Sequence, residues 1–167
     1  MPGTIYRMAS DQDICCPPVD PKKWDKKTVV WKEKPFIVDE VLQLFHIPLN
    51  MGQVVTRMFK KIEAAKASPP KADFLMLAYD PSPWKSEIYM TVTSKVPDAR
   101  NTTLSGTYIT QVFDGPYNAV PSWIKLIDAH IASLGKKIIK YYFFYTTCPK
   151  CMKKYGHNYV ISFTQVE

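Results

Sequence analysis

The sequence lacks any run of about 18 apolar residues, so it offers no helix long enough to cross a membrane. Residues 1–10 lack the apolar stretch and the small-residue cleavage site of a secretory signal. We therefore expect a cytoplasmic protein with no membrane partner. Ser–His–Asp and H-E-x-x-H patterns are also missing, and no motif fixes a reaction.

Arginine is scarce as well. The net charge is +7, but only Arg7, Arg57 and Arg100 supply the guanidinium groups that favour bidentate contacts to bases and phosphates. The lysines are dispersed along the chain, and no helix-turn-helix or aromatic ribonucleoprotein motif is present. This pattern favours a solvated lysine surface over a nucleic-acid partner.

What the sequence does contain is an internal repeat. Its 167 residues, 46% hydrophobic and 13% aromatic, are enough for one domain or two small fused units. When the sequence is shifted along itself, Gln43 aligns with Gln111 and Phe45 with Phe113. Further identities follow at the same offset: Pro48 with Pro116, Asn50 with Asn118, Ala64 with Ala132, and Pro81 with Pro149.

Each half of the chain has the pattern strand, helix, strand, strand. Apolar residues recur at helical spacing over 51–62 and 120–134, which predicts two amphipathic helices. Apolar runs or alternation predict strands at 40–45, 73–79, 86–93, 107–113, 140–146 and 158–166. We expect an α+β fold in which two such units form a pseudo-two-fold antiparallel sheet with helices on one side. The predicted divisions are an N-terminal extension at 1–37, repeat one at 38–93, a linker at 94–106 and repeat two at 107–167.

The second half carries a distinctive turn and helix. Gly106, the F-D-G-P-Y turn at 113–117, Trp123 and Gly135 resemble the GyrI-like small-molecule-binding superfamily, and Y-D-P-S-P-W at 79–84 looks like the matching turn of the first half. That superfamily includes the effector-binding domains of multidrug-responsive regulators. The resemblance implies a stand-alone monomer with an internal pseudo-dimer, whose halves enclose a central cleft for flat, apolar ligands. It also implies possible hydrolysis of reactive compounds, since some members without a DNA-binding domain act as hydrolases.

Members of the GyrI-like superfamily usually carry an acidic residue in the cleft, and this chain lacks it at the matching position. The matching strand position is near Phe143 and has no charge, so Glu87 and Asp80 remain as candidate catalytic carboxylates. Alternation places Glu87 and Tyr89 on the strand face opposite Ile88, which we expect to face the cleft. A carboxylate among aromatic rings is suited to general acid–base catalysis, and the alternative is an exposed strand carboxylate.

Aromatic side chains supply the candidate ligand-binding surface. Tyr89 and Tyr159 occupy equivalent repeat positions and are expected to face each other across the pseudo-dimer. The alternative for each ring is a place in the ordinary core. The candidates are Trp84, Tyr89, Tyr108, Trp123, Phe144, Tyr145 and Tyr159.

The four cysteines fall into two pairs, Cys15 with Cys16 and Cys148 with Cys151. Together they could hold a structural zinc ion, or His157 could replace one of the vicinal pair. Buried thiols, a redox pair and a disulfide are the alternatives. We expect the C-x-x-C motif to lie in a hairpin loop, which disfavours thioredoxin-like chemistry.

The Pro- and Lys-rich stretch 15–36 is expected to pack over the body through Trp24 and Trp31 without forming a core element. The leading functional interpretation is a cytoplasmic small-molecule-binding protein that hydrolyses a reactive or xenobiotic aromatic compound. One alternative is a non-catalytic ligand binder or gyrase-inhibitor-like protein binder. Another is a zinc-containing nucleic-acid-associated protein.

Overall fold

A computed structural model describes residues 16–167 of the chain. Seven strands and four α-helices follow one another in this part, with short 3-10 turns at Lys71–Asp73 and Tyr117–Ala119. In chain order the elements are α1 Pro21–Trp24, β1 Thr28–Leu44, β2 Ile47–Pro48, α2 Met51–Ala64, β3 Met76–Tyr79, β4 Lys85–Thr91, β5 Arg100–Asp114, α3 Val120–Ser133, β6 Ile138–Tyr145, α4 Pro149–Tyr155 and β7 Tyr159–Val166.

The strands form a closed ring. Their hydrogen-bonded order is β2-β1-β4-β3-β6-β7-β5, and a further pairing between β1 and β5 joins the two sides of the sheet. All of these pairings are antiparallel. Closure pairs the strand edges that an open sheet would expose. The sheet predicted from the sequence is therefore a barrel.

The ring has the expected internal symmetry. The order β1-β4-β3 in the first half matches β5-β7-β6 in the second, and each half inserts one long helix after its first strand. The halves meet where β3 pairs with β6 at Leu77–Phe144 and Ala78–Phe143, and again along β1 and β5. The prediction of a duplicated strand–helix–strand–strand unit is confirmed.

Both long helices cover the outside of the barrel. In α2 the buried residues are Val54, Met58 and Ile62, which pack with outward-facing strand residues such as Ile88. In α3 the buried stripe is Trp123, Ile127 and Ile131. These residues follow the predicted helical spacing, so each helix buries one apolar face against its own half.

A β-bulge in β1 changes which residues of that strand face inward. The pairing register between β1 and β5 shifts between Trp31 and Lys34, and Glu33 adopts a φ of 48° there. An extra residue reverses the alternation, so Trp31 before the bulge and Phe36 after it both join the interior cluster.

The N-terminal region differs from the sequence-based expectation. Residues 28–36 form the first half of β1 and contribute Trp31 and Phe36 to the core, so the expectation that 15–36 contains no core element is wrong. The bulge hides the alternation, and the intervening Lys32 and Glu33 are exposed. The expected boundary at residue 37 falls inside β1, and the expected linker 94–106 contains the start of β5.

Candidate functional site

The barrel interior is a cluster of aromatic rings. The Trp31 ring lies 4.4 Å from the Tyr108 ring and 5.5 Å from the Phe163 ring, between centroids. Tyr142 contacts both Tyr108 and Tyr89 at centroid distances of 6.2 and 5.7 Å. All five side chains are buried, so the interior is filled largely by the chain's own rings. Rings of this kind present flat apolar faces to one another.

A carboxylate lies at one end of this cluster. Glu87 shares the inward face of β4 with Tyr89, and its Oε2 accepts a 2.5 Å hydrogen bond from the Tyr89 hydroxyl. Its Oε1 lies 3.5 Å from a guanidinium nitrogen of Arg100, and its side chain is 27% exposed. Burial, followed by the hydrogen bond to Glu87, raises the pKa of Tyr89. Tyr89 therefore stays protonated near neutral pH and can donate a proton to hydrogen bonds.

Glu40 brings a second carboxylate to the same rim. It pairs directly with Glu87 across β1 and β4. Arg100 lies 3.9 Å from Glu40, and the Lys85 ammonium lies 3.3 Å from it. The rim thus joins two acidic and two basic side chains in one exposed network, and Arg100 bridges both carboxylates. Exposed pairs of this kind contribute little to stability.

Tyr79 and Tyr142 line the interior next to this rim. Their rings lie 5.7 Å apart, and the Lys140 ammonium lies 4.8 Å from the Tyr79 ring centroid. Burial is the main cause that raises the pKa of Tyr142, and Tyr108, Tyr79 and Glu87 add to it. The interior tyrosines are therefore neutral hydrogen-bonding groups.

Asp80 follows Tyr79 in the turn after β3, and its carboxylate binds side chains outside the Glu87 network. Its two carboxylate oxygens bind Gln43 Nε2 and His46 Nδ1, each at 2.9 Å. Phe45 and His46 form the two-residue turn between β1 and β2, with φ values of 49° and 66°. Such values are unusual for bulky residues. The turn thus fixes the imidazole beside Asp80, where both side chains remain substantially exposed.

The structure brings only some of the predicted ligand-binding residues together. Tyr89, Tyr108 and Phe144 belong to the interior cluster. Trp123 stacks on Phe113 beneath α3, in the outer core of the second half. Its predicted place in the cleft is wrong, because its position on the buried stripe of α3 points it at the outer sheet face.

The other three predicted aromatics lie elsewhere. Trp84 is 53% exposed. Its ring lies 5.3 Å from that of Phe45. Tyr145 packs with the outer core of the second half, where burial raises its pKa to about 12. Tyr159 contacts the His157 ring at 4.0 Å.

Tyr89 and Tyr159 do not face each other. Tyr89 pairs with Val38, which pairs with Arg100 at the start of β5. Tyr159 pairs with Asp114 at the end of β5. The two tyrosines therefore lie at opposite ends of the barrel. The first strands of the two repeats, β1 and β5, run antiparallel, so equivalent positions in the two repeats fall at opposite ends.

Glu40, Arg100 and His46 were not among the site residues predicted from the sequence. Glu40 continues the inward alternation of Phe36 and Val38, so that pattern could have pointed to it. Arg100 could not have been found in this way, since its contact with Glu87 depends on strand register between distant segments.

Three thiols form a separate cluster. The Sγ atoms of Cys16, Cys148 and Cys151 all lie within 4.8 Å of one another. The backbone N–H of Cys148 donates to Cys16 Sγ at 3.3 Å, and the Tyr155 hydroxyl donates to the Cys16 carbonyl at 2.6 Å. Cys15 lies outside the described residues. Soft thiolate ligands at this separation fit zinc, so these residues could hold a metal ion.

The C-x-x-C motif does not lie in a simple hairpin loop. Cys148 is the N-cap residue of α4, and Cys151 lies within that short helix. The expectation of a loop is therefore wrong, because Pro149 fits the first turn of a helix and Gly156 ends it with a φ of 71°. His157 stacks on Tyr155, meets Tyr159 at a tilt, and is not part of the thiol cluster.

No helix among residues 16–167 has the length and apolar character needed to span a membrane.

Comparisons with known proteins agree on the fold. The sequence model of the family described as bacterial hydrolase matches residues 6–166. The EcmrR C-terminal domain aligns with a TM-score of 0.65 at 11% identity, covering 86% of this chain and 98% of that domain. An uncharacterized conserved protein from Listeria innocua gives 0.66 at 9% identity, with coverages of 86% and 92%.

SAV2435, solved bound to tetraphenylphosphonium, gives a TM-score of 0.52 at 11% identity, covering 86% of this chain and 94% of that one. None of the curated proteins matches the chain. These likenesses, with the pseudo-two-fold barrel, show the GyrI-like fold.

Proposed function

The chain belongs to the family described as bacterial hydrolase, and from that premise we propose that it binds a flat aromatic compound against its interior rings and hydrolyses it. The GyrI-like fold is a small-molecule-binding fold. The tetraphenylphosphonium bound to SAV2435 supports an aromatic ligand for this chain as well. A reactive or xenobiotic compound is the substrate class that we infer.

The observation that carries this proposal is the position of Glu87 at the rim of the aromatic cluster. Its carboxylate contacts the hydroxyl of Tyr89 and the guanidinium of Arg100. In the proposed reaction on an ester, Glu87 accepts a proton from the attacking water as the water oxygen bonds to the carbonyl carbon. Once Glu87 is neutral, the Tyr89 hydroxyl turns from it and donates its hydrogen bond to the oxygen that gains charge. The bond between the carbonyl carbon and the leaving oxygen then breaks, and that oxygen takes the proton from Glu87. Arg100 and Glu40 orient the carboxylate, while the neighbouring rings hold the substrate and exclude solvent.

Asp80 is the second candidate, either as the base itself or by orienting His46. In the second case Asp80 binds His46 Nδ1, and Nε2 of the imidazole would accept the proton, an arrangement that many hydrolases use. Asp80, Gln43 and His46 are all outside the interior cluster, which makes this the weaker choice. Separate Glu87→Gln and Asp80→Asn variants distinguish the two.

The test is turnover of a panel of flat aromatic esters and epoxides by the purified protein. We expect Glu87→Gln to lower kcat by about 100-fold or more with little change in ligand affinity. Glu63→Gln, which removes an exposed carboxylate at the end of α2, is the matched control and should leave kcat unchanged. Unaltered turnover in Glu87→Gln would refute this role.

A non-catalytic binder is the second candidate function. An exposed apolar tip favours it, formed around the turn between β1 and β2. Saturable binding with chemically unchanged ligand, or capture of a protein through this tip, would replace the hydrolase proposal. The exposed residues of the tip are Leu42, Leu44, Phe45, Ile47, Leu49 and Trp84.

We further propose that the thiol cluster binds zinc in a structural role, with Cys15 as an additional ligand beside Cys16, Cys148 and Cys151. Three thiols kept together support this. We also propose a cytoplasmic location, where disulfides are rare. Metal analysis of protein purified under reducing conditions tests the first point, and cell fractionation tests the second. Steeply salt-dependent retention on DNA would instead favour a zinc-containing nucleic-acid-associated protein.

A further inference from the structure

We propose that the thiol cluster is a metal-dependent latch that controls access to the aromatic interior. Residues 16–27, here called the N-terminal flap, cover one end of the barrel, and the latch fastens the start of this flap to α4. Release of the metal frees the flap and opens a site for a flat aromatic molecule. This inference rests on the proposed ligand-binding function, and it assigns to the aromatic interior a metal-controlled entrance at the end opposite Glu87.

The latch joins two parts of the chain that are far apart in sequence. Cys16 begins the flap, whereas Cys148 and Cys151 belong to the start of α4. Their sulfur atoms lie within 4.8 Å of one another, close to the roughly 3.8 Å separation that zinc–sulfur bonds of about 2.3 Å impose at tetrahedral angles. A metal ion would therefore need only a small contraction of the cluster.

Positive charge and a hydrogen-bond donor lie close to the cluster. Lys150, Lys153 and Lys154 belong to the same short helix as Cys151. The N–H of Cys148 donates to Cys16 Sγ at 3.3 Å. Binding of the metal replaces the thiol protons, so the latch closes with release of protons to solvent.

Beyond the latch, the flap contacts the barrel through Val19, Trp24, Asp25 and Lys27. Val19 packs against the interior cluster, and at the far end of the flap the backbone of Lys27 exchanges hydrogen bonds with Thr110. The Trp24 ring meets Phe163 edge-on at 5.5 Å, and the Trp24 carbonyl accepts a hydrogen bond from Thr110. The Asp25 carboxylate accepts from the backbone N–H of Val112 at 3.0 Å. Helix α1 within the flap is four residues long and buries none of them. A segment with so few buried residues opens readily once its anchor is lost.

Opening the flap uncovers the interior at the end opposite Glu87. Phe163 is fully buried, and Trp24 is the flap ring that contacts it. Removal of the Trp24 indole would uncover the edge of the Phe163 ring that it contacts. The occupant that fits is a flat aromatic molecule.

The latch is tested by trypsin cleavage of the full-length protein with and without a zinc chelator. Lys22, Lys23, Lys26 and Lys27 are exposed within the flap and report its opening. We expect chelation to speed cleavage there by about tenfold or more, while cleavage at Lys60 in α2 stays unchanged. Cys148→Ser should reproduce the effect without chelator, and it is first checked for intact folding by circular dichroism.

Two outcomes overturn the latch. One is the absence of stoichiometric zinc in protein purified under reducing conditions. The other is a rate of flap cleavage that does not change when the chelator is added. If only a reductant accelerates the cleavage, the flap is held by a disulfide. Chelation of the wild-type protein keeps the test decisive even if Cys148→Ser does not fold.

Binding of ethidium, a flat aromatic cation, measures access to the site. We expect at least tenfold tighter binding after chelation, and Trp24→Ala should bind ethidium tightly while it retains its zinc. Equal affinity for ethidium with and without the metal would overturn the proposal that the latch controls access to the site. If the chelator frees the flap but neither form binds ethidium or any member of the substrate panel, the proposed ligand-binding function fails and the latch itself stands.

Discussion

Removal of the Trp31 ring provides a direct test of the barrel interior. Trp31 is 9% exposed. Its ring lies 5.8 Å from Phe36, 4.4 Å from Tyr108 and 5.5 Å from Phe163. Trp31→Ala would leave a cavity bordered by these three rings. Large-to-small changes of this kind cost about 3–5 kcal/mol, because packing contacts are lost and the neighbours collapse only in part.

The free energies of unfolding of wild type and variant are measured by guanidinium titration. The expected loss also corresponds to a melting temperature lower by roughly 10 °C in a thermal scan. Trp84→Ala is the matched control, since Trp84 is 53% exposed, and it should change the free energy of unfolding by less than about 1 kcal/mol. Indole added to Trp31→Ala should restore part of the lost stability, since a dry aromatic cavity can bind it.

A loss below about 1 kcal/mol for Trp31→Ala, or an equal loss for Trp84→Ala, would refute the assignment of Trp31 to the packed interior. Indole that fails to stabilise the variant would show that the interior collapses and cannot accept an aromatic ligand. Either result also weakens the proposed ligand site, because that site depends on these rings.

Two further predictions concern buried tyrosines and backbone strain. The pKa of Tyr142 is raised in the folded state, chiefly by burial, so its contribution to stability is complete below pH 10 and is lost as the pH rises above that value. The free energy of unfolding should therefore fall with pH less steeply in Tyr142→Phe than in the wild type between pH 9 and 11, by up to about 1.4 kcal/mol per pH unit. Equal slopes in the two proteins would contradict this. Gly106→Ala should cost about 1–3 kcal/mol because Gly106 has a φ of 127°, whereas Gly52→Ala in α2 meets no atom within 4 Å and should be neutral or stabilising by denaturant unfolding.

The sequence predicted the parts of the fold that depend on local patterns. The apolar stripes containing Met58 and Ile127 predicted both long helices, with ends within a few residues of those observed. Alternation around Ile88 placed Glu87 and Tyr89 on the inward face. Such periodicity reports the direction of a side chain without any knowledge of the partner strand.

The parts that failed depend on distant contacts or on single backbone irregularities. One bulged residue near Glu33 concealed the strand that carries Trp31. The rim pair of Glu40 and Glu87 arises from the register of two strands, which the sequence does not specify directly. Cys16 and Cys148 are close because the flap packs against α4. The spacing of the cysteines in the sequence suggested a metal site, but it could not show that these distant thiols are in contact.

The length of β1 has a consequence for how the molecule unfolds. This one strand pairs with β4 of its own repeat over residues 36–42 and with β5 of the other repeat over residues 28–38. Neither repeat can detach without stripping hydrogen bonds from a backbone that both of them share. The duplicated units are thus tied into one cooperative body, and a fragment cut before β5 would carry an open edge prone to self-association.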